Sequence, residues 1–218
     1  MGINDNLIFS LEKISKAFAN NIEYSQGGGA NISAKDKDIM IIKASGFTLS
    51  DMISKKGFIA TNYKQISQMY LQEELFSEDY SRKKIKESII SINSNLKPSI
   101  EVGFHSFLSK YVIHLHPLYL NAILCLKDSK KILKELYLDY NYIVVNYKRP
   151  GHILCNEILS SLKNKEDFFS QTQIIFLKNH GLIISSDDEN IGIETAKEIC
   201  AIAKEYVLSK IKINKLNY

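Results

Sequence analysis

"YVIHLHPLYL", residues 111–120, decides the fold. Its first half is a short apolar run rich in β-formers, which reads as a strand. Pro117 then opens "PLYLNAILCL", a stretch with helical periodicity, at the position of a first helical turn. In a strand, residues i and i+2 point to the same face. His114 and His116 therefore project together, at a spacing suited to two ligands on one ion. Pro117 ends the strand, so the pair sits at the rim of a sheet. The chain has only five histidines. Taken alone, the same spacing also serves two part-exposed strand histidines.

Outward from this stretch the chain alternates strands and helices. Residues 5–20 read as a helix with Leu7, Ile8, Leu11, Ile14, Ala17 and Phe18 on one stripe. "QGGGAN" breaks it. "ISAK" and "DIMIIKAS" read as two strands joined by "DKD", and "GFIAT" as a third. Residues 80–95 carry Ile85, Ile89 and Ile92 at helical spacing, a surface helix by this reading. "PSIEVGFHSFL" predicts a helix from about Ser99. Beyond the histidine strand come helices in "DSKKILKELY" and "PGHILCNEILSSL", with the strand "YIVVNY" between them. "QIIFL" and "LIIS" are strands separated by the tight turn "KNHG". A last helix runs from about Asp187 to Ile211, with Ser186 and Glu189 spaced as a capping box. Hairpins at both ends and intermixed helices predict an α/β/α architecture: a mostly antiparallel central sheet flanked by helices. With no repeat, linker or low-complexity segment, residues 1–218 read as a single domain.

Composition narrows the function classes. The net charge is +4, both signs are interspersed, and of 28 Lys and Arg only Arg82 and Arg149 are arginines. A nucleic-acid surface would need clustered basic residues with arginine among them, so none is expected. No apolar run approaches the ~20 residues of a membrane span. The N-terminus lacks a basic segment followed by an apolar one, so no signal peptide is expected. Cys125, Cys155 and Cys200 are odd in number, widely spaced and set in apolar helical stretches. They read as buried free thiols of a cytoplasmic protein.

Three other segments carry candidate chemistry. His180 lies in the "KNHGL" turn, where Gly181 suggests a positive φ and a turn held by backbone. Three neutral imidazoles with an open position form the ligand set of a catalytic zinc or similar site. Read alone, His180 is also a turn histidine facing water. Glu101 and His105 are four apart on the predicted helix and share a face. A carboxylate beside a metal could take a proton from a substrate carbon while the metal holds the developing charge. "GGGANIS" is not a dinucleotide fingerprint, but its amides can approach an anion, with Asn31 as a side-chain donor. "KASG", residues 43–46, is a second plausible anion rest. Arg149 or Lys43 could add charge there, although an exposed role is the plainer reading of each.

"GGGANIS", "IIKASG", "PSIEVGFH", "VIHLHP" and "LKNHGLI", in this order, resemble the class II aldolase/adducin family over residues 5 to about 205. "PSIE", "KASG" and "YKRPGHIL" look most like the aldolase half of bifunctional aldolase/dehydrogenase proteins. The resemblance implies the α/β/α fold, a homotetramer with sites between subunits, and a divalent metal: Zn²⁺, or another such as Mn²⁺ or Co²⁺. It carries the metal ligands onto His114, His116 and His180, and the catalytic carboxylate onto Glu101; His105, by its spacing one helical turn on, could orient that carboxylate. Phosphate contacts fall on Asn31, Ser45, Gly46 and Ser99. The related pentulose-phosphate epimerases usually carry aspartate where Glu101 stands, so the glutamate leans toward aldol chemistry. The implied activity is that of a lyase cleaving a C–C bond in a sugar phosphate or sugar acid through a metal-stabilised enediolate. Epimerase, dehydratase and decarboxylase activities use the same kind of site, and an adducin-like head would be a non-catalytic module. Two positions depart from the family pattern. Ala30 stands where many members have glycine, and Ile100 stands in place of a second phosphate-contacting serine. The family's catalytic tyrosine has Tyr119, Tyr137 and Tyr218 as candidates here.

Overall fold

The computed structural model describes residues 4–53, 56–72, 76–90, 95–163 and 172–211. In chain order the elements are α1 (Asp5–Phe18), β1 (Asn31–Asp36), β2 (Ile39–Lys43), α2 (Leu49–Ile53), β3 (Phe58–Asn62), α3 (Tyr63–Leu71), α4 (Glu78–Glu87), α5 (Val102–Phe107), β4 (Tyr111–Leu115), α6 (Leu118–Leu124), α7 (Ser129–Leu136), β5 (Tyr142–Val145), α8 (His152–Leu162), β6 (Gln173–Leu177), β7 (Gly181–Ser186) and α9 (Glu189–Lys210). Among the described residues the strands form one seven-stranded sheet in the order β3-β2-β1-β4-β7-β6-β5. Every neighbouring pair is antiparallel except β5 with β6, which is parallel.

Period-2 burial sorts the strand side chains onto two cores. Ile32 and Ala34 of β1, Ile113 and Leu115 of β4, and Leu182 and Ile184 of β7 meet α1, α2, α6, α7 and α9 on one face. Met40 and Ile42 of β2, Val112 of β4 and Ile183 of β7 meet α3, α5 and α8 on the other. The amphipathic stripe of α1 buries Leu7, Leu11, Ile14 and Phe18, and Asn4 caps it by accepting from Asn6 N. Helices thus cover both faces, as the expected architecture requires.

Several local expectations need correction. The lysine-rich helix ends at Glu87, because Ile89 leaves it to bridge Thr61 beside β3; residues 91–94, with Ile92, lie outside the described residues. The helix expected from Ser99 starts at Val102, since residues 97–99 run alongside the end of β2 and pair Ala44 with Pro98. The capping box does not form. β7 extends through Ser186, so Asp188 caps α9 instead, and Glu189 turns to Ser10 and Lys13 of α1. Cys155 and Cys200 are buried as expected, but Cys125, just past the end of α6, is exposed. No described helix is long and apolar enough to cross a membrane.

Candidate active site

The face of β1 that carries no apolar side chain presents Asn31, Ser33 and Lys35, and all three are buried. Such an alternation usually marks a solvent face; here α5 and the chain leading into it cover it. Asn31 is the register partner of His114 in β4. Glu101 stands at the N-cap position of α5, 5% exposed, and His105 one turn later is fully buried. The four residues meet over the junction of β1 and β4. The amide of Asn31 donates to Glu101 Oε2 at 2.9 Å, and its Oδ1 meets His105 Nε2. The other ring nitrogen of His105 meets Ser33 Oγ at 2.7 Å. His105 therefore reaches Glu101 through Asn31.

His114, His116 and His180 converge on the open side of Glu101. Their ligand atoms lie within 4.8 Å of one another. His114 Nδ1 lies 3.0 Å from Leu182 O, an acceptor that keeps the proton on Nδ1 and leaves Nε2 as a lone pair aimed into the cluster. That Nε2 is 3.0 Å from His116 Nε2 and 3.4 Å from Glu101 Oε2. His180 Nε2 is 3.3 Å from Glu101 Oε1. Burial holds His114 well below the ordinary imidazole range, helped by His116. It also lowers His116, against the pull of Glu101, and brings His180 down to about 4. Neutral rings offer lone pairs at neutral pH. Glu101 Oε1 is buried with no hydrogen-bond partner among the described residues. Three neutral imidazoles and an orphaned carboxylate oxygen around one point are a donor set that fits a divalent cation.

Glycines bring the backbone close to these rings. A Cβ on Gly29 would lie 2.8 Å from His116 Nδ1. One on Gly181 would lie 2.3 Å from Leu115 O and against both strand histidines. The expected positive φ in this turn belongs to Asn179, at 55°; Gly181 is glycine because β4 and β7 approach too closely for a side chain. Ala30, in the glycine position of the family, has φ 65°, a left-handed conformation that explains the preference for glycine there.

The second loop pair lies next to Glu101. Ser45 N donates to Lys97 O, and Ser99 N to Lys43 O, stitching "KASG" to "KPS". Ser45 and Gly46 are exposed, with Gly46 at φ 86°, while Ser99 is buried and accepts from Glu101 N through Oγ. Lys43 is not at the surface. It is 3% exposed, and its ammonium donates to Gly28 O and Phe47 O, tying the glycine loop to the "KASG" loop. Lys43 opens "KASG" and Ser33 closes "GGGANIS", but neither motif records that folding commits the Lys43 ammonium to two loop carbonyls and the Ser33 hydroxyl to His105. Arg149 is exposed and paired with Glu78. Tyr137 spends its hydroxyl on Ile199 O in the opposite core; Tyr119 is half-buried under Lys204; Tyr218 lies outside the described residues.

Comparison with known proteins gives the family and the fold of the chain. The profile of the Class II Aldolase and Adducin N-terminal domain matches residues 11–205. An uncharacterized oxidoreductase, YuxG of Bacillus subtilis (strain 168), is 24% identical over 196 residues, 85% of this chain and 27% of the relative. The 3-oxo-tetronate 4-phosphate decarboxylase of Pectobacterium atrosepticum is 30% identical over 135 residues, 55% of this chain and 59% of the relative. The chain thus spans less than two thirds of either relative's length. The N-terminal class II aldolase domain of a Thermoplasma acidophilum protein superposes with a TM-score of 0.79 at 21% identity, covering 95% of this chain and 96% of that one. With the profile running through nearly every element of the sheet and its helices, the chain belongs to the class II aldolase and adducin N-terminal domain family.

Proposed function

We propose that this chain is a divalent-metal-dependent aldolase, a lyase that cleaves a C–C bond in a sugar phosphate or sugar acid and releases an aldehyde. The observation that carries the reading is the buried, unpartnered Oε1 of Glu101 facing three neutral imidazoles. His114, His116 and His180 would hold the ion, Zn²⁺ first, with Mn²⁺ or Co²⁺ as alternatives. When bound, such an ion polarises a carbonyl or hydroxyl oxygen and makes the adjacent proton more acidic. Glu101 takes and returns that proton, as the carboxylate next to the histidines. Ser45, Gly46 and Ser99, with amides of the glycine loop, bind the anionic end of the substrate. The buried Lys43 ammonium lends that corner positive potential. The protein works in the cytoplasm, in carbohydrate metabolism, as a homotetramer whose subunits complete each other's sites.

Decarboxylation is the second reading, favoured by the 30% identity to a decarboxylase. A product screen separates the two. Metal-loaded protein is incubated with a panel of ketose phosphates and sugar acids, and aldehyde and carbon dioxide are both assayed. Aldehyde release that stops on chelation supports the aldolase reading; carbon dioxide without aldehyde overturns it in favour of decarboxylation.

A further inference from the structure

Ser33, His105 and Asn31 lie in a line that ends on Glu101, and the chemistry of each link fixes the direction of the next. An amide oxygen would repel a carboxylate, so Asn31 turns its Nδ2 to Glu101 Oε2. Its Oδ1 then faces His105 Nε2 and accepts, so that nitrogen carries the proton. Burial keeps the His105 ring neutral, so Nδ1 has no proton. Ser33 Oγ, 2.7 Å away, therefore donates to it. The line of donors runs Ser33 to His105 to Asn31 to Glu101. All four residues are buried, His105 and Ser33 completely. In a low-dielectric interior such a chain polarises in one sense, and its last member is an acceptor.

We propose that Ser33, His105 and Asn31 are positioning residues that pin Glu101 through Oε2 and leave Oε1 as the oxygen that exchanges protons with substrate. This rests on the lyase reading for the role of Glu101, and it assigns the two carboxylate oxygens different tasks. Oε2 is held by Asn31, whereas Oε1 has no hydrogen-bond partner and faces His180 Nε2 at 3.3 Å. A carboxylate held at one oxygen cannot rotate the held oxygen into the reacting position. The Asn31 side chain meets a protein partner at both its nitrogen and its oxygen, and its worth in this proposal lies in orientation rather than in gripping an anion.

Two measurements test this. The first needs no substrate: nitrogen NMR of zinc-loaded protein labelled at histidine, with the His105 signal identified by its loss in His105→Gln. The proposal requires His105 protonated on Nε2 and bare on Nδ1; the opposite tautomer, or a charged ring, overturns it. The second uses the substrate found in the product screen. Asn31→Ala should lower kcat by about 10–100-fold, the usual cost of removing a group that orients a reacting residue, with KM and zinc content near parental values. His105→Gln, which retains a donor toward Asn31, should keep more turnover than His105→Phe. A raised KM with unchanged kcat in Asn31→Ala, or equal turnover in the two His105 variants, overturns the proposal. If the parent turns over nothing in the screen, the lyase reading fails while the tautomer still decides the chain.

Discussion

Glu101 Oε1 lies 3.3 Å from His180 Nε2 and accepts no hydrogen bond among the described residues, although the carboxylate is almost wholly buried. A buried oxygen without a donor is costly unless something else meets it. Here the open side faces the histidine cluster, where substrate and ion would sit. Glu101→Gln removes the proton acceptor with little change of shape. Turnover should fall by about 10²–10⁴, the worth of a positioned acid–base group, at unchanged metal content. Near-parental turnover would remove Glu101 as the base, and loss of metal would make it a ligand.

Two glycines hold the histidines in place by being absent of side chains. Gly181→Ala drives a Cβ to 2.3 Å from Leu115 O, a backbone atom that cannot step aside. Gly29→Ala meets a ring nitrogen of His116 at 2.8 Å, while at Gly28 the nearest atom stands off at 3.8 Å. Metal affinity should therefore fall at least about tenfold in Gly29→Ala, as when groups that orient ligands are disturbed, and stay parental in Gly28→Ala. Gly181→Ala should lose both affinity and thermal stability, since β4 and β7 must separate. Equal metal binding in all three variants would contradict the close approach.

Lys35 is a buried lysine at the far end of β1, with its ammonium on Leu108 O and Ser109 O. Desolvation brings it down to about 7, partly opposed by Asp187. The unfolded chain therefore binds more protons than the folded one from about pH 7 up to the free-lysine range near 10.4. The penalty for burying the charge is fully present below about pH 7 and relieved as pH rises through this window. Parent stability should rise relative to Lys35→Met between pH 7 and pH 9.5 by at least about 1 kcal/mol, less than one pKa unit's worth. Urea unfolding at the two pH values measures it, and a pH-independent difference between the proteins would contradict it.

The architecture was legible because β-formers and helical stripes alternate cleanly, and because "HLHP" marks a strand that ends at a rim. His114, His116, His180 and Glu101 were legible as residue types with metal and acid–base chemistry. What escaped was set by tertiary cover. Lys43 reads as a solvent lysine until its ammonium is seen tying two loops, and Ser33 reads as a strand spacer until α5 closes over it. The start of α5 was misplaced for a related reason: Pro98 and Ser99 are held beside the end of β2, which no local propensity records. Gly181 was assigned to the wrong cause, since a close strand crossing and a left-handed turn both select glycine.

The central claim is that His114, His116 and His180 hold one divalent ion on which the chemistry depends. Metal content of the purified protein, measured beside His116→Ala prepared identically, tests it most directly. The account predicts about one divalent ion per chain in the parent and little in the variant, since a three-histidine site seldom survives as two. Equal metal content in the two proteins would contradict it.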